Sequence, residues 1–283
     1  MPKQPFTLAR PAVRTTSVLF ASPHSGRDYP ASFLRRSALD ERAIRSSEDA
    51  FVDLLFADAP IFGAPLLAAT VPRAFVDLNR GADDLDHALI YDIRNAGHNP
   101  RVTSGLGVVP RVVANGRPIY DGKIALDEVL ARVRENWFPY HGALQALLEE
   151  TLADFGEAVL IDCHSMPSEA NVASGIRRPE IVLGDRFGAS AGPDIVELGE
   201  SAFASSELRV ARNAPFAGAY TAQRYGRPSR GRHVLQVEID RSLYMDERLV
   251  RPNGDFDAFR ELMRDVVARI AGIGRQKLPI AAE

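Results

Sequence analysis

The chain has 283 residues, 46% hydrophobic and 25% charged, with 34 basic and 37 acidic side chains for a formal net charge of −3. That balance offers no basic excess for a nucleic-acid partner, and no run approaches the roughly 20 apolar residues of a membrane span. Met1 to Arg14 has basic residues but no apolar stretch after them, which argues against a secretory signal, and the single cysteine, Cys163, fits a reducing cytoplasm.

No internal repeat or low-complexity linker divides the chain, so one domain over residues 1–283 is expected. In chain order, the apolar run at 16–21 predicts a strand. Residues 49–59, with Phe51, Val52, Leu55 and Phe56 on one face, predict a helix. Strands are expected at 66–71 and 75–78. Residues 127–155 carry a helical period that Pro139 and Gly142 should kink or split. Strands follow at 158–162 and 180–184, a helix at 194–204, a strand at 233–239 and a helix at 256–273. This alternation predicts an α/β fold: a mostly parallel or mixed central sheet with helices on both faces, in three layers. Residues 81–123, rich in Gly, Pro and Asn, fit neither period. They read as a long loop, either an active-site flap or a peripheral excursion.

Chemistry in open α/β sheets gathers at the carboxyl ends of strands. Ser22-Pro23-His24-Ser25-Gly26 follows the first expected strand. Asp77-Leu78-Asn79-Arg80 ends the third, Asp162-Cys163-His164-Ser165 the fourth, and Glu238 lies near the end of the last. Two imidazoles and one carboxylate with an open fourth position make a catalytic zinc site. His24 and His164 share the pattern of strand end followed by Ser. The carboxylate is expected from Asp49 or its neighbour Glu48, with Asp49 preferred, although acids at a helix start also act as caps. His87, His98, His141 and His233 lack the pattern and read as structural or solvent-exposed, and Cys163 reads as a core residue. A competing signal is Gly188-Ala189-Ser190-Ala191-Gly192, a G-x-S-x-G pentapeptide that would make Ser190 a nucleophile, with His233 as its base. A non-catalytic metal-dependent binding protein is a further alternative.

Pro-His-Ser-Gly at 23–26, Asp49, the Arg73 to Arg80 stretch, Trp137-Phe138-Pro139-Tyr140-His141-Gly142, Asp162-Cys163-His164-Ser165, Gln236-Val237-Glu238-Ile239 and Ser242-Leu243-Tyr244-Met245 together resemble the N-formylglutamate amidohydrolases. The matches run in family order from about residue 17 to 247. The resemblance implies a phosphorylase/hydrolase-like fold related to zinc carboxypeptidases and aspartoacylase-like deacylases. Those relatives commonly pair His-x-x-Glu, whereas His24 is followed at that spacing by Arg27, so the carboxylate must come from elsewhere.

Resemblance and residue chemistry together imply one Zn2+ on His24, Asp49 and His164, Glu238 as general base and acid, and Arg73 as stabiliser of the developing oxyanion. Asn79 and Arg80 would dock one substrate carboxylate and Arg224 the second, with Arg227, Arg230 and Arg232 as alternatives. The expected substrate is a small acyl amino acid, most specifically N-formyl-L-glutamate. A carboxypeptidase-like or other N-acyl amino acid hydrolase would use the same machinery. Neither a nucleic-acid nor a membrane partner is expected, and the oligomeric state is left open.

Overall fold

The computed structural model describes residues 4–93, 99–169 and 178–274. Its strands are β1 (Phe6–Ala9), β2 (Val18–Ser22), β3 (Leu66–Ala69), β4 (Ala158–Met166), β5 (Ile181–Gly184), β6 (Val210–Arg212) and β7 (Arg232–Asp240), with a small pair β8 (Met245–Asp246) and β9 (Arg251–Pro252). The helices are α1 (Ala31–Arg36), α2 (Val52–Leu55), α3 (Pro100–Thr103), α4 (Leu126–Arg132), α5 (Phe138–Phe155), α6 (Pro193–Ala204), α7 (Tyr220–Tyr225) and α8 (Phe256–Ile273). None of the described helices is long and apolar enough to cross a membrane.

β2, β3, β4 and β7 run parallel in the middle of a seven-stranded sheet ordered β1-β3-β2-β4-β7-β5-β6. β1 and β5 join it antiparallel, so the sheet is mixed. The central strands are buried on both faces, which is why they read as continuous apolar runs. Val18, Val159, Ile161, Leu235 and Val237 face one layer with α2, α6 and α8. Leu19, Leu160 and Val234 face the other, with Leu144, Leu147 and Leu148 of α5. In α8, Phe259, Met263, Val266, Val267, Ile270 and Ala271 make the buried stripe; each large apolar side chain covered this way stabilises the fold by roughly 1.5–3 kcal/mol.

The expected helix at 256–273 and the strands near 16–21, 66–71, 158–162, 180–184 and 233–239 are present, with β4 extending to Met166. Residues 75–78 are not a strand. They lie in a tight loop, where the Asp77 N–H donates to the Val108 carbonyl at 2.8 Å and the Phe75 N–H to Pro72 at 2.9 Å. The helix expected from Asp49 begins only at Val52, because Phe51 takes a left-handed φ of 67° that turns the chain first. At 127–155 the irregularity precedes the proline. A π-turn at Val133–Trp137 joins α4 to α5 in one continuous helical run, and Pro139, which cannot donate to the turn before it, follows directly on that wider turn. Gly142 causes no break.

Residues 81–93 and 99–123 fold over the carboxyl edge of the sheet around a hydrophobic cluster that includes Leu89, Ile90, Val109, Val113, Ile119 and Tyr120. Buried Arg132 of α4 ties this region down. Its Nη1 donates to Tyr120 Oη at 2.6 Å, and its guanidinium lies 4.3 Å from the Phe75 ring centre.

Gly26 allows the chain leaving β2 to touch the chain leaving β3. A Cβ there would lie 2.0 Å from the Val71 carbonyl oxygen, which is backbone and cannot swing aside. Gly26→Ala is therefore expected to destabilise the fold by about 1–3 kcal/mol, the usual cost of overpacking. Urea unfolding measures this, and an unchanged midpoint would remove the close approach as a constraint.

Candidate active site

Four elements converge at the carboxyl edge of the sheet. His24 follows β2, and its carbonyl accepts the Asp49 N–H at 3.0 Å, so the two residues are placed together by backbone. His164 lies on β4, and Glu238 is its register partner on β7. Alternation along the strands puts Asp162 with His164 and Gln236 with Glu238 on the same face, and turns Cys163 into the core between them. Cys163 is fully buried and unbridged, as expected, and burial pushes its thiol far up, so it is no nucleophile.

His24, Asp49 and His164 form one buried group whose candidate ligand atoms all lie within 4.8 Å of one another. Asp49 Oδ2 is 2.8 Å from His164 Nδ1 and 3.3 Å from His24 Nδ1. The opposite ring edges are held by carboxylates. His24 Nε2 lies 2.7 Å from Asp77 Oδ1, and His164 Nε2 lies 3.2 Å from Asp162 Oδ2. Ligating histidines commonly donate their distal N–H to a carboxylate, which fixes ring orientation and leaves the other nitrogen free for a cation. His24 Nδ1 is buried without a hydrogen-bond partner and faces Asp49 Oδ2, so two lone pairs point at one another. The donor set therefore fits a metal ion. Asp49 Oδ1 is fixed separately by Arg241 Nη2 at 3.0 Å and the Ser165 hydroxyl at 3.3 Å.

The local charge tells the same story. Burial raises Asp49, but the hydrogen bond with His164 and the nearness of His24 outweigh it and hold the carboxyl well below its usual range. Burial lowers His164, yet Asp162, Asp49 and Glu238 hold it well above an ordinary imidazole. Glu238, buried and near Asp49, is pushed up to about 7, with His164, Arg73 and Arg241 pulling the other way. Gln236 Nε2 donates to Glu238 Oε1 at 2.8 Å and fixes that oxygen.

These groups line a cavity of about 770 Å³ that also receives Arg73, Asn79, Arg80, Arg101 and Arg241. Arg73 Nε pairs with Asp77 Oδ2 at 3.0 Å. Arg80 has its Nε on the Leu106 carbonyl at 3.0 Å. The Asn79 amide accepts the Thr221 N–H at 2.8 Å and rests its Nδ2 3.0 Å from His164 Nε2. Asn115 and its neighbours from 81–123 form the opposite wall.

Other sequence candidates lie elsewhere. Glu48 accepts from Tyr29 Oη at 2.6 Å and is forked by Arg45 at 2.9 and 3.0 Å, so its carboxylate is committed away from the histidines. Arg27, at the His-x-x-Glu position, pairs with Asp53 at 2.9 Å. Arg224 does not line this cavity itself; with Arg227 it lines an adjoining groove that includes Asn79, Arg80 and Arg101, and with Arg227, Arg230 and Arg232 a neighbouring cleft. Ser190 is wholly buried, its hydroxyl donating to the Val234 carbonyl at 2.9 Å, while His233 Nδ1 accepts the Gly192 N–H at 3.0 Å; that pentapeptide is a packed turn, not a nucleophile elbow. His87 is half-buried, and His98 lies outside the described residues.

His141 is buried beneath the loop that carries Asp77 and Asn79. Its Nε2–H donates to the Leu78 carbonyl at 2.9 Å, its Nδ1 faces Tyr225 Oη at 2.8 Å, and adjacent Trp137 Nε1 donates to the Arg80 carbonyl at 2.8 Å. Burial lowers its pKa from 6.5 to about 4, so the ring stays neutral in the fold. The unfolded chain then binds a proton here that the folded chain does not. This contribution to stability is complete above pH 6.5 and is lost as pH falls toward about 4. His141→Gln is expected to flatten the fall in stability between pH 6.5 and 5, by up to ~1.4 kcal/mol per pH unit. Urea titrations at several pH values measure it, and identical slopes would show that His141 is charged in the fold.

Residues 16–245 match the family model described as N-formylglutamate amidohydrolase. The N-formylglutamate deformylase of Pseudomonas aeruginosa is 30% identical over 266 residues, covering 92% of this chain and 94% of the relative. The enzyme of the same name from Pseudomonas putida is 31% identical over 234 residues, covering 81% of this chain and 82% of the relative. Among solved structures, an N-formylglutamate amidohydrolase from Ralstonia eutropha JMP134 superposes with a TM-score of 0.91 at 34% identity, covering 98% of this chain and all of that one (100%). An Agrobacterium tumefaciens protein shares the fold alone, with a TM-score of 0.65 at 17% identity over 95% of this chain and 96% of its own. The chain belongs to the N-formylglutamate amidohydrolase family.

Proposed function

We propose that this protein hydrolyses the amide of N-formyl-L-glutamate to formate and L-glutamate, with one Zn2+ held by His24, Asp49 and His164. Family membership supports the substrate. The observation that carries the chemistry is the convergence of two imidazole Nδ1 atoms on Asp49 Oδ2, with each Nε2 braced by its own carboxylate. Zinc suits two imidazoles and a carboxylate, and supplies Lewis acidity that polarises a carbonyl and acidifies water.

The protein's own groups do the rest. Glu238 takes a proton from the attacking water and returns it to the departing amine nitrogen. The Arg73 guanidinium, oriented by Asp77, faces the charge that develops on the formyl oxygen. Arg80 and Asn79 receive one carboxylate of the substrate, and Arg101 lines the same cavity as a second cation. The buried, unbridged Cys163 supports the cytoplasm as the setting.

Formate release from N-formyl-L-glutamate is expected from the purified protein. It should fall to background with a chelator and return with zinc, with about one zinc per chain by elemental analysis. Zinc without formate would overturn the substrate, and parallel assays with longer N-acyl glutamates would read the acyl group. Formate release indifferent to chelators would overturn the metal.

Glu238→Gln is expected to keep its zinc and lose about 10²–10⁴-fold in kcat, the range for a general acid–base group. Because the base works ionised, kcat/KM should rise with pH to a plateau. The midpoint should lie at or below about 7, since a cation beside Glu238 lowers its pKa. A variant with near-normal turnover, or with the same acid limb, would take Glu238 out of the role.

A further inference from the structure

Four arginines gather beside the Asp77–Arg80 loop, and two of them, Arg224 and Arg227, also line a groove with Asn79, Arg80 and Arg101 of the catalytic cavity. Arg224, Arg227, Arg230 and Arg232 line a cleft of about 780 Å³ that shares no lining residue with that cavity. No carboxylate lines the cleft. None of the four forms an ion pair among the described residues, unlike Arg73 and Arg241 of the catalytic cavity. The Arg227 guanidinium is held on the Gln223 carbonyl at 2.9 Å and on the Gly226 carbonyl, and the Arg224 guanidinium lies 5.9 Å from the Tyr225 ring centre. Four like charges so placed repel one another. Asp83 and Asp84 line the adjoining groove beside Arg224 and Arg227, while the cleft itself offers no carboxylate, so an anion from solution would relieve the repulsion there. Guanidinium groups bind phosphate and carboxylate in a bidentate fork, and several on two elements suit an anion with more than one charge. The volume is that of a small-molecule site. Aromatic Trp137, Phe138 and Tyr220 give the same cleft an apolar wall for the ligand's carbon skeleton.

We propose that this cleft is a second binding site, which takes a small polyvalent anion bearing phosphate or carboxylate groups. Its floor is the underside of the loop clamp. Trp137 and His141, which hold the Arg80 and Leu78 carbonyls, both line it. An anion seated there therefore bears on the loop that carries Asp77 and Asn79.

The test is isothermal titration of the full chain with inorganic phosphate and, separately, with tricarballylate; whichever binds names the anionic group. Saturable binding is expected to weaken at least tenfold in Arg230→Gln and further when Arg232→Gln is added, and to weaken with rising salt in the parent chain. Arg230 is exposed, so the single variant tests the site without disturbing the core. An unchanged melting temperature without ligand verifies its fold. Absence of saturable binding of either probe would overturn the proposal. So would binding that is equally tight in the variants, which would place the anion among the arginines of the catalytic cavity.

Discussion

A single carboxylate oxygen, Asp49 Oδ2, has to meet two imidazole nitrogens at the buried floor of the cavity, and most of the surrounding structure serves that meeting. Each imidazole can offer Nδ1 only if its Nε2 is held elsewhere, so Asp77 and Asp162 must also be buried. Burying three carboxylates in one site is costly unless cations answer them. Arg73 answers Asp77, and Arg241 answers Asp49 from the segment after β7.

Strands and loops divide the labour. His164, Asp162, Gln236 and Glu238 stand on adjacent parallel strands, where backbone pairing sets their spacing to that of the sheet. Asp77, Asn79 and Arg80 stand on a loop with no ladder to hold it. It is held instead from below by Trp137, the last residue of the π-turn, and by His141 in the first turns of α5. π-turns inside helices often occur at functional sites. Here the turn ends on one of the two side chains that fasten the loop.

Much of the catalytic edge was legible in the sequence because parallel strands advertise themselves as apolar runs and chemistry collects where they end. His24, His164, Glu238, Asn79 and Arg80 stand at or near expected strand ends, Asp49 at an expected helix start and Arg73 in a stretch marked by the family resemblance, and the structure brings all seven to one cavity. Asp77 and Asp162 were quoted within motifs without a role. The two-residue period of β4 would have put Asp162 on the face of His164, but Asp77 offers no such signal, because its loop has no regular period. Arg224 lines the groove that adjoins the cavity at Asn79 and Arg80, a placement that its neighbourhood in sequence does not encode. Residues 75–78 look like a strand by composition, yet their hydrogen bonds go to Pro72 and Val108 and not to a neighbouring strand. Arg101 escaped notice in 81–123, where the backbone is fixed by long-range contacts that no local pattern encodes.

The alternation along β4 and β7 gives the sheet two unlike faces within a few ångströms. Ile161, Cys163, Val237 and Ile239 are solid core, while Asp162, His164, Gln236 and Glu238 are chemistry. A residue inserted or lost within β4 would exchange the two faces beyond that point, driving a carboxylate and an imidazole into the hydrocarbon layer and a thiol into the cavity. The length of this strand is therefore as tightly constrained as the identity of any residue on it. Change in this lineage has to enter through substitution at the cavity wall or through the long loop facing it, where the chain can grow or shrink without reversing the sheet.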